Sequence, residues 1–327
     1  MTWLIIGSNS FSGASFCAHL LKSGQEVIGV SRSNEISLPF RPYGWSNLKG
    51  GFAFHKNDLN YDLDGLMTLV KARKPRFIVN FAAQSMVGQS WDRPEDWMMT
   101  NVVSTTKLFE RLRHIDHLDR YVHITTPEVY GSTDGWVNED TAFNPSTPYA
   151  VSRAAGDMSL LAYHNSYGIP MVMTRAANVY GPGQQLYRII PRAIMTALTG
   201  GKLELHGGGL SVRSFIHIDD VSEGTVLAAQ LGSNGSCYHI SNNQQISIRS
   251  LVAMVFNELA INFDSSVEII NERLGKDQSY LLISDRLREL GWTDRTSLED
   301  GLRQTIHWAR KHLDALIVAP QSYIHKP

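Results

Sequence analysis

The sequence is short of cysteine, of charge and of long apolar runs, and each shortage removes a class of protein. Only Cys17 and Cys237 occur in 327 residues, far apart and outside any C-x-x-C pair, so neither a disulfide framework nor a thiolate metal site is expected. Charged residues make up 19%, and 30 basic side chains are balanced by 31 acidic ones, leaving no cationic excess for nucleic acid or an anionic membrane surface. No apolar stretch approaches the ~20 residues of a membrane-spanning helix. The run Trp3–Ile6 is too short for a signal-peptide core. A cytoplasmic protein that engages neither nucleic acid nor membrane is expected. His123, His206, His217 and His239 fall in no H-E-x-x-H or similar spacing, so no metal is expected either.

What is present is a 43% hydrophobic chain with a repeating order of elements. Trp3–Ile6, Glu26–Val30, Phe52–His55, Phe77–Phe81 and Arg120–Thr125 read as strands, and Gly13–Ser23, Leu63–Arg73, Pro94–Arg113 and Pro148–Tyr167 as helices. Parallel strands need long crossovers, so this alternation predicts an α/β doubly wound parallel sheet of the Rossmann type. Met171–Thr174 gives a sixth strand, and Ser236–Ile240 a buried strand that returns to the sheet before a helix near Ile248–Leu259. The expected division is a Rossmann domain over residues 1–175, with a returning segment near 210–258, and a smaller, discontinuous substrate-binding region over 176–327. Leu316–Pro327 shows little periodicity and reads as a tail or partner-contacting extension.

The first strand runs straight into Gly7-Ser-Asn-Ser-Phe-Ser-Gly13 and a helix, the order that brings backbone amides and a helix N-terminus against a pyrophosphate. Gly7, Ser10, Phe11 and Gly13 are therefore candidate cofactor residues, with Ser10 standing where the short-chain dehydrogenase pattern has a middle glycine. The second strand ends in Ser31-Arg32-Ser33, without the carboxylate that usually meets an NAD ribose. Arg32 is suited to a 2′-phosphate, which points to NADP over NAD. Asp58 and Leu59 are placed to meet the adenine edge, and Phe81, Ala82 and Ala83 to let backbone pass close to the cofactor.

Thr125-Thr-Pro-Glu-Val-Tyr-Gly131 closes the fifth strand, and Tyr149 and Arg153 share one face of the next long helix at i, i+4. A phenol beside a permanent cation has its anion stabilised, so Arg153 is expected to bring Tyr149 down towards the range of a general base.

With Asn80-Phe-Ala-Ala-Gln-Ser85, Arg175-Ala-Ala-Asn-Val-Tyr-Gly-Pro182, Arg213-Ser-Phe-Ile-His-Ile-Asp-Asp220, Arg273-Leu-Gly-Lys-Asp277 and Glu289-Leu-Gly-Trp292, the chain resembles the extended short-chain dehydrogenase/reductases. Within them it most resembles the nucleotide-sugar 4,6-dehydratases acting on dTDP-glucose or GDP-mannose. The resemblance implies that Tyr149 takes the sugar 4-hydroxyl proton beside Thr126 while hydride passes to the nicotinamide, Arg153 standing where the family has lysine. Glu128 then abstracts the C5 proton as water leaves C6, and the hydride returns to C6. It further implies that Asn178 and Arg213 hold the diphosphate of a nucleotide-diphosphate sugar, that Leu205 and His206 border its base, and that Ser85 faces the sugar. The family's paired long helices imply a homodimer.

Pro127 occupies the place where dTDP-glucose enzymes carry a proton-donating aspartate. A 4-epimerase or 4-keto reductase on the same scaffold is thus the alternative, and a non-catalytic cofactor-binding sensor or scaffold the second.

Overall fold

The computed structural model describes residues 1–46, 48–133, 135–271 and 281–326. The Arg273–Asp277 motif lies outside them. Alternation becomes a parallel sheet as the pattern predicts. β1 (Thr2–Ile6), α1 (Phe11–Lys22), β2 (Glu26–Ser31), β3 (Phe52–Lys56), α2 (Leu63–Arg73), β4 (Phe77–Asn80), α3 (Pro94–Met98), α4 (Thr105–Leu112) and β5 (Arg120–Thr125) follow in order. β6 (Trp136–Val137), α5 (Pro148–Tyr167), β7 (Met171–Ala176), β8 (Asn178–Tyr180), α6 (Ile189–Thr199) and β9 (Leu203–His206) come next. The chain continues with β10 (Val212–Arg213), β11 (Phe215–His217), α7 (Ile218–Leu231), β12 (Cys237–Ile240), β13 (Ile246–Ser247) and α8 (Ile248–Glu258).

The main sheet runs β12-β7-β5-β4-β1-β2-β3, every pair parallel. Such a sheet is buried on both faces, and its strands are near-continuous apolar runs for that reason. α1 and α7 cover one face, packing Phe16, Leu20 and Val221 against Trp3, Ile5 and Val122. α2, α4 and α5 cover the other, with Leu66, Phe109 and Leu160 against Leu4, Ile78 and Tyr121. The returning strand of the sequence reading is β12, which pairs with β7 at the sheet's edge.

A further apolar cluster joins α6, β9 and α8 to the helix Leu298–Lys311 and the short helix Leu313–Ile317, where Leu316 is fully buried. The segment expected to be a tail from residue 316 therefore begins inside a packed helix. Trp308 of that late helix donates its indole N–H to the carbonyl of Pro39 at 2.7 Å, fastening the second cluster over the turns that follow β2.

The expected single helix Pro94–Arg113 is continuous but not uniform, because Met99–Ser104 is wound as a π-helix between α3 and α4. Single wide turns of this kind re-aim side chains near functional sites. Here the turn carries Asn101 inward: its amide donates to the Gln84 carbonyl and to Ser152 Oγ, both at 2.9 Å, and its Oδ1 accepts the Gln84 N–H at 2.9 Å. One side chain thus fixes the loop after β4 against α5.

Candidate active site

The glycine turn is shaped by contact with the loop after β4. Gly7 has φ +83°, and a Cβ there would sit 2.6 Å from the Ala82 backbone nitrogen, so only glycine fits. Ser10 does not open the turn as a glycine would. Its Oγ donates to the Gly7 carbonyl at 2.8 Å and accepts the Gly13 N–H at 3.0 Å, capping α1 and folding the hydroxyl into the loop. Asn9 ties the turn to β2 by donating its backbone N–H to Ser31 Oγ at 2.9 Å and its amide to Ser33 Oγ and the Asn34 carbonyl. Ser31 and Ser33 are therefore engaged in holding the turn, whereas Arg32 donates away from it, to the Lys326 carbonyl at 2.8 Å.

The expected cofactor residues differ in burial. Phe11 and Leu59 are buried against the two faces of the sheet, and the half-buried Phe81 packs 5.4 Å from Phe16. Asp58 closes its own turn by accepting the Asn60 N–H at 2.8 Å. Ala82 and Ala83 lie half-buried beside Gly7, as small residues at a close approach must.

Thr126, Glu128, Tyr149 and Arg153 are brought together where β5 ends and α5 begins. Thr147 caps α5 by accepting the Ala150 N–H at 3.1 Å, with Pro148 in the first turn, and this sets Tyr149 and Arg153 on the inward face. Thr126 caps the short 3-10 turn Pro127–Tyr130, accepting the Glu128 N–H at 3.3 Å. Pro127 is the first residue of that turn, a place where its missing N–H costs nothing. The Thr126 hydroxyl bonds the Tyr149 phenol, and Glu128 is near enough for its charge to act on it.

The expected lowering of Tyr149 is not what the ligand-free site produces. Burial raises its pKa above the ordinary value, and Arg153 is the strongest opposing influence, helped by the Thr126 bond and Arg188. Arg153 is 3% exposed and donates to the Ile124 carbonyl of β5, while its Nε is buried without a partner. Ser8 Oγ and Asn9 Oδ1, in the glycine turn, are likewise buried and unpartnered. Buried polar atoms are rarely left so, and three of them around one cleft fit a dinucleotide that supplies the missing partners.

A buried polar chain lies beneath this group. Thr125 Oγ1 donates to Asp157 at 2.8 Å, Arg175 pairs with the same carboxylate at 3.0 Å and with the Tyr130 hydroxyl, and Tyr130 meets His239 Nε2 at 2.8 Å. His239 Nδ1 lies 3.1 Å from the Ile283 carbonyl, which can only accept, so Nδ1 carries a proton and Nε2 meets the Tyr130 hydroxyl. Burial and Arg175 hold His239 down at about 3.

Of the expected substrate residues, Ser85 is exposed, Asn178 donates to the Ser214 carbonyl at 3.3 Å, and Arg213 stands half-buried on β10. His206 meets the Asn271 carbonyl at 3.0 Å. Leu205 is 2% exposed and packs in the second core. Sequence reasoning missed Asn9, Asn101, Asp157 and Arg188. The signal for Asn101 and Asp157 was a polar residue on an apolar helix face; Asn9 and Arg188 act through loops and left none. Among the described residues no three His, Cys, Asp or Glu side chains converge as a metal site, and no helix is long and apolar enough to cross a membrane.

Residues 4–305 match the model of the GDP-mannose 4,6 dehydratase family. The chain is 32% identical over 310 residues, 93% of its length, to a trifunctional UDP-glucose 4,6-dehydratase/UDP-4-keto-6-deoxy-D-glucose 3,5-epimerase/UDP-4-keto-L-rhamnose-reductase of Arabidopsis thaliana. It spans 46% of that relative, less than half its length. A dTDP-glucose 4,6-dehydratase of Streptomyces griseus is 31% identical over 94% of both chains. Among solved structures, the dTDP-glucose 4,6-dehydratase of Streptomyces venezuelae with NAD and TYD bound superposes with a TM-score of 0.87 at 32% identity, covering 96% of this chain and 98% of that one. On the family match, the ordered motifs and the shared fold together, this chain belongs to the GDP-mannose 4,6 dehydratase family.

Proposed function

We propose that the chain is a nicotinamide-dependent nucleotide-sugar 4,6-dehydratase, a lyase. The observation that carries this reading is the convergence of Tyr149, Thr126 and Glu128 at the carboxyl edge of the sheet, within reach of one another's charge and hydrogen bonds. That edge is where doubly wound sheets bind ligands. The similar 4,6-dehydratases named above supply the reaction class. The dinucleotide, when bound, supplies a hydride acceptor at C4 and a donor at C6.

The chain's own residues manage the protons. Tyr149 receives the proton of the sugar 4-hydroxyl, with Thr126 holding that oxygen and Arg153 favouring the phenolate. The resulting ketone acidifies C5. Glu128 takes the C5 proton, the C6–O bond breaks as the C5–C6 double bond forms, and the proton on Glu128 leaves with the hydroxyl as water; as C6 is reduced, C5 regains a proton that Glu128 relays from solvent, and Tyr149 releases its own to solvent. Pro127 carries no proton, so Glu128 serves both as base and as acid. Gly7, Ser8, Asn9, Gly13 and Arg153 would hold the cofactor, with Arg32 beside its adenosine ribose. Asn178, Arg213 and His206 would hold the sugar nucleotide, with Ser85 at the sugar. Arg32 alone carries the preference for NADP, since its flanking serines serve the turn; the solved relatives hold NAD.

A homodimer is proposed on the outer face of the paired helices. Met99, Val103, Val151 and Met158 are 40–55% exposed there, an apolar stripe that a second copy would cover.

The test is incubation with nucleoside-diphosphate glucoses deuterated at C4, with NADP and then NAD. The expected product is a 4-keto-6-deoxy sugar carrying the label at C6, formed faster with NADP. A 4-epimer retaining its C6 oxygen overturns the elimination and selects the epimerase that Pro127 leaves open.

A further inference from the structure

The last described residues do not trail into solvent. From Gln321, whose amide donates to the carbonyls of Leu316 and Ala319, the chain turns back over the sheet's carboxyl edge. His325 anchors it: Nε2 lies 2.7 Å from Asp96, which Arg93 also contacts at 3.1 Å, and the ring stacks on Trp97 at 5.0 Å with planes 9° apart. Tyr323 packs edge-on against Tyr187 and directs its hydroxyl towards Gln84 Oε1 at 3.5 Å. The Lys326 carbonyl accepts from Gln84 Nε2 at 2.6 Å and from Arg32 at 2.8 Å.

Topology says what that carbonyl lies across. Arg32 follows β2 and Gln84 follows the end of β4, and these strands flank β1 on its two sides. β1 ends in the Gly7–Gly13 turn, over which a dinucleotide pyrophosphate crosses in this fold. One backbone oxygen therefore bridges the two walls of the crossing and takes a donor from each. Arg32 is the group through which the cleft would read the adenosine ribose, and Gln84 lies in the loop that Asn101 locks beside the glycine turn.

We propose that residues 322–326 are an internal competitor for the dinucleotide cleft, which the cofactor displaces on binding. The inference rests on the reading of this cleft as a nicotinamide cofactor site. Residues 322–326 belong to none of the four apolar clusters of the described chain, so the segment's departure uncovers the Trp97 ring and leaves those clusters intact. Its Ser322 and Tyr323 also line a cavity of ≈ 550 Å³ together with Met86, Gln89 and Tyr187.

Two variants test the competitor, deletion of Ser322–Pro327 and His325→Ala in the full chain, each measured by calorimetric titration with NAD and NADP. If the segment holds the cleft about nine-tenths of the time, deletion tightens binding about tenfold, and His325→Ala moves it the same way. In the full chain, amide exchange over residues 322–326 should rise when cofactor is added. Unchanged or weaker binding in both variants, or protection of the segment by cofactor, overturns the proposal. Absence of binding by every form overturns the cofactor reading and the competitor with it; equal, measurable binding overturns the competitor alone.

Discussion

In the proposed site Arg153 stands in for a lysine with a different shape. A guanidinium is planar, permanently charged and multiply donating, so it can bond the Ile124 carbonyl and still act on Tyr149 from the next turn of α5. Because burial raises the phenol and Arg153 opposes it, removing that charge should raise it further. Arg153→Gln is expected to lower kcat at neutral pH by about 100-fold, the scale of one impaired general base, and to shift the rising limb of the kcat profile to higher pH. Arg153→Lys should restore the limb. A profile unmoved by Arg153→Gln would separate the guanidinium from the tyrosine's ionisation. Pro127 is explained at the same scale as the rigid first residue of the turn that aims Glu128. Ser10 is explained too, since its hydroxyl closes the loop that a second glycine would have left open.

Among elements, β5, β7 and β12 carry more than apolar packing, because the Thr125–Asp157–Arg175–Tyr130–His239 chain links all three by way of α5 and the turn after β5. His239 titrates at about 3 in the folded chain, below its ordinary 6.5. The unfolded chain thus binds this proton first as pH falls, so the stability it confers is complete above about pH 6.5 and is lost progressively towards pH 3, by about 1.4 kcal/mol per pH unit. Urea midpoints should drop between pH 7 and pH 5, and drop less in His239→Gln; equal slopes would mean the ring is not held neutral. This chain of bonds was not legible beforehand. The boundaries of α2 and α5 were, because helical periodicity and caps are local, and so was the return of β12, a buried apolar run. Hydrogen bonds between strands distant in sequence leave no period. The π-wound turn at Met99–Ser104 was hidden for a related reason: it keeps the apolar pattern of a helix while changing where Asn101 points. The packing of Leu59 and Leu205 was hidden as well, because an apolar residue beside a loop motif looks the same in sequence whether it faces ligand or core.

For the whole molecule, two surfaces remain to be covered, the cleft and the outer stripe of the paired helices. The stripe is apolar across two elements, and its residues at 99, 103, 151 and 158 share the side away from the sheet. The expected state is a dimer by light scattering at micromolar concentration. Met158→Glu, which places a charge in the stripe, should yield monomer with unchanged far-ultraviolet circular dichroism. A monomeric parent chain would leave the stripe without the proposed partner. The cleft differs in that its cover comes from the same polypeptide, which makes occupancy a contest within one molecule and insensitive to protein concentration.

The bond from Trp308 to the Pro39 carbonyl has a meaning in time as well as in space. The tryptophan that roofs the turns after β2 lies 269 residues further along the chain than the carbonyl it binds, so the turns are made well before the helix that covers them. Until then Phe40 and Trp45 stand open, without the second cluster they join. The sheet's interior can be assembled during synthesis, but the lid over these turns closes only once Leu298–Lys311 has been made.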